Sequence, residues 1–269
     1  MVTATGLSER QHAILDMVRK DGMVQVEPLA TKLQVTPQTI RRDLNQLYRL
    51  TLLKRVHGGA VVQGNVDNLG YGARKLLMAD EKSGIAERAA SLIPDGSSLF
   101  INIGTTTERV ADFLKNHSQL LVITNNMNVA TSMWPMGQHE VMVAGGTIRH
   151  EDGGIVGPST EDFIDNFKVD YAVIGCSAID DAGEVFDYDP REVRVTQHII
   201  QRAASIVLVA DSMKFTRRAP ARICTLEQVD YLVTDTGISD DASTMCADRE
   251  IQLEVVESIG ATQSTDESE

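Results

Sequence analysis

Apolar residues recur every three or four positions in the first part of the chain, which is the spacing of one helix face. One run, with Ile14 and Val18, follows Ser8 and Gln11. A serine followed three positions later by a glutamine has the form of a capping box, which marks the start of a helix. A second short run covers residues 27–34. The pattern therefore predicts two helices before residue 35.

A third helix is predicted from Thr36 onward. Thr36 suits the N-cap position, and Pro37 suits the first helical position, where its missing N–H is not needed. Ile40, Leu44 and Leu47 recur at helical spacing and are expected to face a core. The outward positions near the start of this helix are polar or basic: Gln38, Thr39, Arg41 and Arg42.

These outward side chains suit the recognition of bases and phosphates. Recognition helices present their N-terminal residues to base edges in the major groove. Glutamine can pair with adenine and arginine with guanine, while threonine suits a phosphate or the thymine methyl group. The alternative is that Arg41 and Arg42 only solvate a surface helix, which is the more common role of an isolated charged pair.

The segment that follows favours the DNA-binding interpretation. Two short apolar runs flank His57-Gly58-Gly59, and glycine tolerates the positive φ of a tight turn. Two helices, a turn, a third helix and a hairpin make a winged helix-turn-helix, which is predicted for residues 7–62. The predicted DNA contacts are Thr36, Gln38, Thr39, Arg41, Arg42, Lys54, Arg55 and His57.

After residue 80 the pattern changes to β-rich apolar runs that alternate with amphipathic stretches. This alternation predicts an α/β domain with an open, mainly parallel sheet over residues 81–257. The Gly/Asn-rich residues 63–80 are expected to form a linker, and the acidic residues 258–269 a disordered tail. Strands are predicted at 98–103, 120–124, 141–144, 171–175, 206–210 and 231–234. Helices are predicted at 81–93, 105–116, 126–133, 160–167, 190–204 and 225–229.

The charge of the chain is divided unevenly between its two parts. The 269 residues carry a net charge of −13, but residues 1–60 contain nine Lys+Arg and five Asp+Glu, a net charge of +4. A basic head on an acidic body suits a head that binds DNA and a body that avoids it. No apolar run approaches the roughly 20 residues of a membrane span. The three cysteines are widely spaced, so the expectation is a cytoplasmic protein with reduced thiols, no metal and no cofactor.

Ligands of open parallel sheets bind beyond the carboxyl ends of the strands. A helix start with free N–H groups and threonine hydroxyls suits an anion, and a lysine adds a positive charge. Each polar strand end alone also suits an ordinary turn or cap, but together they predict a small phosphorylated metabolite as ligand. Four predicted strands end in such groups: Gly104-Thr105-Thr106-Thr107, Thr124-Asn125-Asn126, Gly145-Gly146 and Asp211-Ser212-Met213-Lys214.

The chain resembles the DeoR family of bacterial transcription regulators along nearly its full length. In the head, the resemblance is carried by Thr39-Ile40-Arg41-Arg42-Asp43-Leu44 and Arg55-Val56-His57-Gly58-Gly59-Ala60. Thr51 departs from the family pattern, which often has glycine where that helix ends. In the body, the matching residues are Gly104-Thr105-Thr106, Thr124-Asn125, Gly145-Gly146, Gly157 and Asp211-Ser212-x-Lys214.

The resemblance implies a sugar-phosphate sensor domain similar to ribose-5-phosphate isomerase, and operator DNA as a partner. A homo-oligomer is expected, because operators read by such heads are usually palindromic or repeated. The resemblance implies that the glycine and threonine loop holds a phosphate and that Asn125, Asn126, Asp187 or Glu192 reads hydroxyl groups. The predicted effector contacts are Gly104, Thr105, Thr106, Thr107, Thr124, Asn125, Asn126, Gly145, Gly146, Asp187, Glu192 and Lys214.

A sugar-phosphate isomerase is the alternative class of protein. Such an enzyme needs a base over the sugar carbons, and the isomerase family carries Asp-Gly-Ala-Asp-Glu after the matching strand. Here the segment is Gly175-Cys176-Ser177-Ala178-Ile179, with no carboxylate before Asp180. The family's Lys-Gly-Gly-Gly loop with its catalytic glutamate also has no counterpart. The sequence therefore predicts binding without catalysis, with Cys176 as a buried, inert thiol.

Overall fold

The computed structural model describes residues 7–21, 23–49, 52–56, 59–62 and 71–257. The chain divides into two compact units, residues 1–78 and 79–269. Within the described ranges, every helix is too short or too polar to cross a membrane. The predicted acidic tail lies outside the described residues.

The first unit has the predicted order of helices followed by a hairpin. Its small sheet has the strand order β1-β3-β2, and both pairings are antiparallel. This arrangement confirms the predicted winged helix-turn-helix. The elements are α1 (Glu9–Asp21), β1 (Met23–Gln25), α2 (Val26–Lys32), α3 (Pro37–Arg49), β2 (Leu53–Val56), β3 (Gly59–Val62) and α4 (Tyr71–Leu76).

Local signals in the sequence place the helix ends of this unit. The predicted capping box is present before α1: the Ser8 N–H donates to Gln11 Oε1 at 2.9 Å, and the Gln11 N–H donates to Ser8 Oγ at 3.2 Å. Helix α2 ends before Gln34, which adopts a left-handed φ of +54°. The turn that follows Gln34 redirects the chain into α3. The predicted inward residues Ile14, Val18, Leu29, Ile40, Leu44 and Leu47 all lie in the core of this unit.

Gly59 is needed for close packing rather than for the positive φ that the sequence suggested. Its φ lies outside the left-handed range, but a Cβ atom there would lie 2.0 Å from the carbonyl oxygen of Val24. At this position the backbones of β3 and β1 therefore lie too close together for any residue that has a Cβ atom. His57 and Gly58, which were predicted to form the turn, lie outside the described residues.

The segment predicted as a linker contains the short helix α4 in its described part. Tyr71 and Lys75 lie one turn apart on this helix, and the Lys75 Nζ atom lies 5.7 Å from the centre of the Tyr71 ring. Leu77, which follows the helix, is buried. The glycine and asparagine content of residues 63–80 predicted a linker and therefore missed the helix that begins at Tyr71.

The second unit is built on a seven-stranded sheet whose pairings are all parallel. Its strand order is β15-β14-β12-β9-β4-β5-β6. Strands β5 and β6 follow β4 toward one edge of the sheet, and β12, β14 and β15 follow β9 toward the other edge. The order of the strands therefore reverses between β4 and β9. The strands are β4 (Ser98–Ile101), β5 (Leu121–Thr124), β6 (Glu140–Val143), β9 (Val169–Ile174), β12 (Ala203–Val209), β14 (Tyr231–Asp235) and β15 (Gln252–Val256).

Both faces of this sheet are covered, which explains the continuous apolar runs in its strands. Leu99 and Ile101 of β4 pack with α5–α7 on one face, and Phe100 packs with α8, α9 and a second sheet on the other. The second sheet is antiparallel, in the order β10-β11-β13. The helices are α5 (Ala79–Ser91), α6 (Thr105–Leu114), α7 (Met127–Met133), α8 (Pro158–Ile164), α9 (Pro190–Gln201) and α10 (Asp240–Asp248). The remaining strands are β7 (Thr147–Ile148), β8 (Ile155–Val156), β10 (Ala178–Ile179), β11 (Glu184–Asp187) and β13 (Ala221–Thr225).

The structure corrects several predicted elements. The helix predicted for 190–204 ends at Gln201, and Ala203 already pairs with Val169 as the first residue of β12. Alanine favours helix locally, but strand pairing overrides that preference. Residues predicted as a helix at 225–229 form only a 3-10 turn, Leu226–Gln228. The antiparallel sheet β10-β11-β13, the pair β7-β8, α10 and β15 were not predicted.

Candidate functional sites

The outward face of α3 is polar and basic, as predicted. Burial of the apolar side of this helix in the core turns its other side to solvent. Together with Arg55 of β2, the outward side chains line a shallow open groove. The groove extends one turn beyond the predicted contacts, because positions 38, 42, 45 and 49 share one helix face. The α3 residues that line it are Gln38, Arg41, Arg42, Asn45, Gln46 and Arg49.

Thr36 and Thr39 meet at the start of α3. The Thr39 N–H donates to Thr36 Oγ1 at 3.3 Å, so Thr36 caps the helix as predicted. Their hydroxyl oxygens lie 2.9 Å apart. This cap fixes the end of the helix that carries Gln38 and Arg41.

A bidentate ion pair anchors α3 to α1. Arg10 Nε lies 2.5 Å from Asp43 Oδ2, and Arg10 Nη2 lies 3.3 Å from Asp43 Oδ1. The Asp43 carboxylate is buried, and its hydrogen bond raises the pKa of Arg10. Gln11 donates to Gln46 Oε1 at 2.9 Å beside this pair. Asp43 therefore orients the helix and faces away from the groove that its neighbours line.

Arg41 has an intramolecular partner on the exposed surface. Its Nη2 atom lies 3.1 Å from Glu27 Oε1 of α2, and both side chains are more than half exposed. Exposed ion pairs of this kind contribute about 0–1 kcal/mol. A phosphate or a base edge can therefore replace Glu27 at little cost.

The wing is tied to α3 through Tyr48. The Tyr48 hydroxyl donates to the carbonyl oxygen of Gly59 at 2.7 Å, and Arg55 lies over the Tyr48 ring at 5.7 Å. Arg55 is thereby held beside the recognition helix. The side chain of Lys54 and all of His57 lie outside the described part of the chain.

Four of the predicted ligand segments of the body lie at one edge of the sheet. Because the seven strands are parallel, their carboxyl ends lie along the same side of the sheet. The four predicted polar segments follow β4, β5, β6 and β12 there. The divergence of the chain between β4 and β9 is a topological switch point, and open α/β sheets bind ligands outside the strand ends at such a point.

The loop after β4 is shaped by Thr107. Its hydroxyl donates to the carbonyl oxygens of Asn102 at 2.7 Å and Gly104 at 2.8 Å. Gly104 has a φ of +152°, and no side chain caps the helix α6 that it opens. Among the described residues, the hydroxyls of Thr105 and Thr106 have no hydrogen-bond partner. Thr107 therefore holds the loop, while the first N–H groups of α6 and two hydroxyls are left for an anion.

The three polar residues after β5 have different roles. Thr124 Oγ1 donates to the carbonyl oxygen of Ile101 at 2.7 Å, and Asn126 donates to Glu108 Oε1 at 3.1 Å. Asn125 Nδ2 donates to the carbonyl oxygen of Ile155 at 3.1 Å. The Oδ1 atom of Asn125 is buried without a partner in the described structure. An unpaired buried acceptor costs about 1–3 kcal/mol, so a donor from a ligand would find a favourable position there.

The two glycines after β6 differ in what surrounds them. Gly146 has a φ of +149°, and a Cβ atom there would lie 2.1 Å from Thr160 Oγ1. The carbonyl oxygen of Gly145 accepts from the same Thr160 hydroxyl at 2.8 Å, but a Cβ atom on Gly145 would meet open space. Gly146 is therefore required by the fold, and Gly145 leaves room at the ligand edge.

A nearly buried arginine that sequence reasoning missed holds Glu192. Arg149 Nη1 lies 2.7 Å from Glu192 Oε2 and 3.1 Å from Asp189 Oδ2. Arg149 also forms a bidentate pair with Asp152. Although burial opposes the charge, the carboxylates of Glu192 and Asp152 raise the pKa of Arg149. The hub joins the loop between β7 and β8 to the start of α9, so the predicted hydroxyl reader Glu192 has a fixed position.

Asp187 and Lys214 act electrostatically on the thiol of Cys176. Burial raises the pKa of Cys176, while Lys214 opposes that rise and Asp187 and Asp211 add to it. The thiol is buried, as predicted. Asp187 Oδ1 accepts from Ser177 Oγ at 2.9 Å. Asp211 is buried, and its Oδ1 atom has no partner among the described residues. Charged groups from β11 and from the segment after β12 therefore meet beside the end of β9.

A winged helix-turn-helix head and an α/β body with polar strand ends define a DNA-binding module joined to a ligand-binding module. Residues 10–65 match the family model of the DeoR-like helix-turn-helix domain, and residues 77–236 match that of the DeoR C-terminal sensor domain. The chain belongs to the DeoR family.

Curated relatives match over most of their length. The glycerol-3-phosphate regulon repressor of Escherichia coli K12 is 40% identical, over 92% of this chain and 98% of that protein. The protein of the same name from Haemophilus influenzae is 44% identical, over 84% and 89%. The transcriptional repressor CsqR of Escherichia coli K12 is 39% identical, over 84% and 87%.

Solved structures match only part of the chain. A D-ribose-5-phosphate isomerase in complex with phospho-erythronic acid aligns with 16% identity and a TM-score of 0.38, over 50% of this chain and 52% of that chain. An alignment this partial carries no information about activity.

Proposed function

We propose that this protein is a cytoplasmic transcriptional repressor of glycerol and glycerol-3-phosphate metabolism genes, released from operator DNA by glycerol 3-phosphate. The observation that carries the DNA-binding role is the exposed face of α3, which is held by the Asp43–Arg10 pair. The effector is suggested by the relatives of 40% and 44% identity that bear this name. Further support comes from motifs that resemble that repressor, among them Leu99-Phe100-Ile101-Asn102-Ile103-Gly104-Thr105-Thr106, Asp152-Gly153-Gly154-Ile155-Val156-Gly157 and Glu192-Val193-Arg194.

The proposed DNA complex places α3 in the major groove. Gln38, Arg41 and Arg42 contact base edges or phosphates near the start of the helix. The ion pair of Arg41 with Glu27 opens when Arg41 meets DNA. Thr36, Thr39, Lys54, Arg55 and His57 contact the phosphate backbone, which fixes the register of the helix.

The proposed effector complex uses the carboxyl edge of the sheet. The phosphate binds the first N–H groups of α6 with Thr105 and Thr106, and Lys214 adds a positive charge. Asn125 and Asp187 or Glu192 bind the hydroxyls. Gly104, Thr107, Thr124, Asn126, Gly145 and Gly146 shape these loops. Another sugar phosphate would use the same phosphate site and differ at the hydroxyl contacts.

We propose that the body binds its ligand without chemistry. The first carboxylate after β9 is Asp180, whose Oδ1 atom accepts from the N–H groups of Ala182 at 3.0 Å and Glu184 at 2.8 Å. These bonds use the Oδ1 atom of this carboxylate to build a turn. Burial raises the pKa of the Cys176 thiol, which suppresses the reactive thiolate.

A pair of variants separates the two activities. Arg41→Ala removes a base or phosphate contact, so operator affinity should fall by about 1–3 kcal/mol while glycerol 3-phosphate binding is retained. Thr106→Ala should do the reverse and give a repressor that is not released. Fluorescence anisotropy of labelled DNA and calorimetric titration with glycerol 3-phosphate measure the two affinities. Loss of both activities in either variant would contradict this separation.

A further inference from the structure

One segment of the body is nearly free of charge. Charged residues make up 23% of the chain, yet residues 116–148 contain a single one, Glu140. This segment runs from the loop before β5 to the end of β7 and supplies the edge strand β6. A low charge is unexpected on the surface of a body whose net charge is strongly negative.

The same segment exposes large apolar side chains. Trp134 is 67% exposed, Ile148 57%, Met136 44% and Val143 40%. Trp134 and Met136 lie on the 3-10 turn before β6, Val143 ends β6, and Ile148 lies on β7 just beyond it. We name these four residues the edge patch. Large apolar side chains exposed before and after an open edge strand favour an interaction surface along that strand.

The backbone of β6 is open along this edge. The N–H groups of Glu140 and Ala144 donate to carbonyl oxygens of β5. Alternation along the strand turns the N–H groups of Val141 and Val143 outward, where the described structure offers them no partner. The strand contains neither a lysine nor a proline, the residues that usually protect an edge from pairing.

The opposite edge of the sheet is better protected. Its strand β15 carries Glu254, which forms an ion pair of 3.0 Å with Arg88 of α5. The chain after β15 lies against α5, since a Cβ atom on Gly84 would lie 2.8 Å from the carbonyl oxygen of Glu257. Val255 is 46% exposed there, but it lies between Glu254 and residues that face α5. Within the described residues, β6 is therefore the edge strand that is open to pairing.

We propose that β6 and the edge patch bind a second copy of this chain across a two-fold axis. Two copies of an acidic body repel each other, so they meet where the surface carries almost no charge. A two-fold axis places the two β6 strands antiparallel, which satisfies their outward N–H and carbonyl groups and joins two sheets. The proposed function includes a homo-oligomer, and this inference names the surface through which the copies bind each other. It rests on the proposed function only for the expectation of two DNA-binding heads.

A charge on this edge strand tests the proposal. Val143→Glu adds a second acidic side chain to a strand that already carries Glu140, so the two antiparallel strands should repel each other and the mass of the full-length protein in analytical ultracentrifugation should halve. Val255→Glu is the matched control, because it adds the same charge to a similarly exposed valine on the other edge strand. It should leave the mass unchanged. An unchanged mass in Val143→Glu, or a monomeric wild type, would overturn the proposal.

Trp134 supplies a second readout that needs no substitution, because it is the chain's sole tryptophan. Its emission should shift to the red when the wild type is diluted through its dissociation range. Emission that stays unchanged while the mass falls would overturn this surface even if Val143→Glu fails to fold. Operator binding is measured separately, so a repressor that pairs through another surface would refute the inference and leave the proposed function intact.

Discussion

Two adjacent residues of α3 illustrate how position decides the role of a charge. Arg42 is exposed and lines the groove of the recognition helix. Asp43 is one residue further along the chain, points into the head and pairs with Arg10 at 2.5 Å. The 100° step between neighbouring helical residues is what separates the outward-facing charge from the structural one.

Substituting these neighbours should give opposite results. Asp43→Asn breaks the ion pair with Arg10 and should lower the free energy of unfolding of the head by about 1–2 kcal/mol, since one partner is buried and the other is half exposed. Arg42→Ala should leave head stability unchanged and weaken operator binding. Hydrogen exchange of the α1 and α3 amides in the full-length protein measures the first effect. Equal loss of protection in both variants would be inconsistent with these roles.

At this scale, the sequence identifies side chains whose role depends on local periodicity. The outward direction of Arg41 and Arg42 follows from the spacing of Ile40, Leu44 and Leu47. The Arg149 hub could not be predicted, because Asp189 and Glu192 lie 40 or more residues away and are brought to Arg149 only by the fold.

At the scale of elements, the segment between β6 and β7 shows why neighbouring glycines are not equivalent. Gly146 combines a φ of +149° with close approach to Thr160 of α8, whereas Gly145 faces open space. The fold therefore requires Gly146, whereas Gly145 lies at the proposed ligand-binding edge of the sheet.

The alanine variants of these glycines should differ in stability. Gly146→Ala brings Cβ into the Thr160 hydroxyl and forces an unfavourable φ, so we expect the body to lose about 2–4 kcal/mol of stability. Gly145→Ala should unfold at nearly the wild-type urea concentration. Far-ultraviolet circular dichroism of the full-length protein follows the unfolding. A Gly146→Ala variant as stable as Gly145→Ala would show that the contact with α8 is not required.

Elements with strong periodicity or long apolar runs could be predicted from the sequence. Helix α3 and the central strands β4, β5, β9 and β14 are of this kind. The short strands β10 and β11 could not, because two to four residues carry too little alternation to reveal pairing with β13. The end of α9 was predicted three residues too late, because the pairing of β12 with β9 determines where the helix stops.

At the scale of the whole molecule, two units with opposite charge divide the proposed task. The head carries the basic groove, and the body carries the proposed anion-binding edge and most of the acidic side chains. An effector can release DNA only if it binds one state of the repressor more tightly than the other. Typical couplings of about 1–3 kcal/mol correspond to roughly a 5–150-fold change in operator affinity.

The most direct test measures this coupling in the wild-type protein. Labelled DNA from upstream of its own gene and of neighbouring glycerol genes is titrated with the protein at fixed salt, because phosphate contacts make the affinity salt-dependent. We predict tight binding that glycerol 3-phosphate weakens by roughly 5–150-fold, while glycerol and inorganic phosphate leave it unchanged. Operator affinity that stays the same at saturating glycerol 3-phosphate would contradict the account.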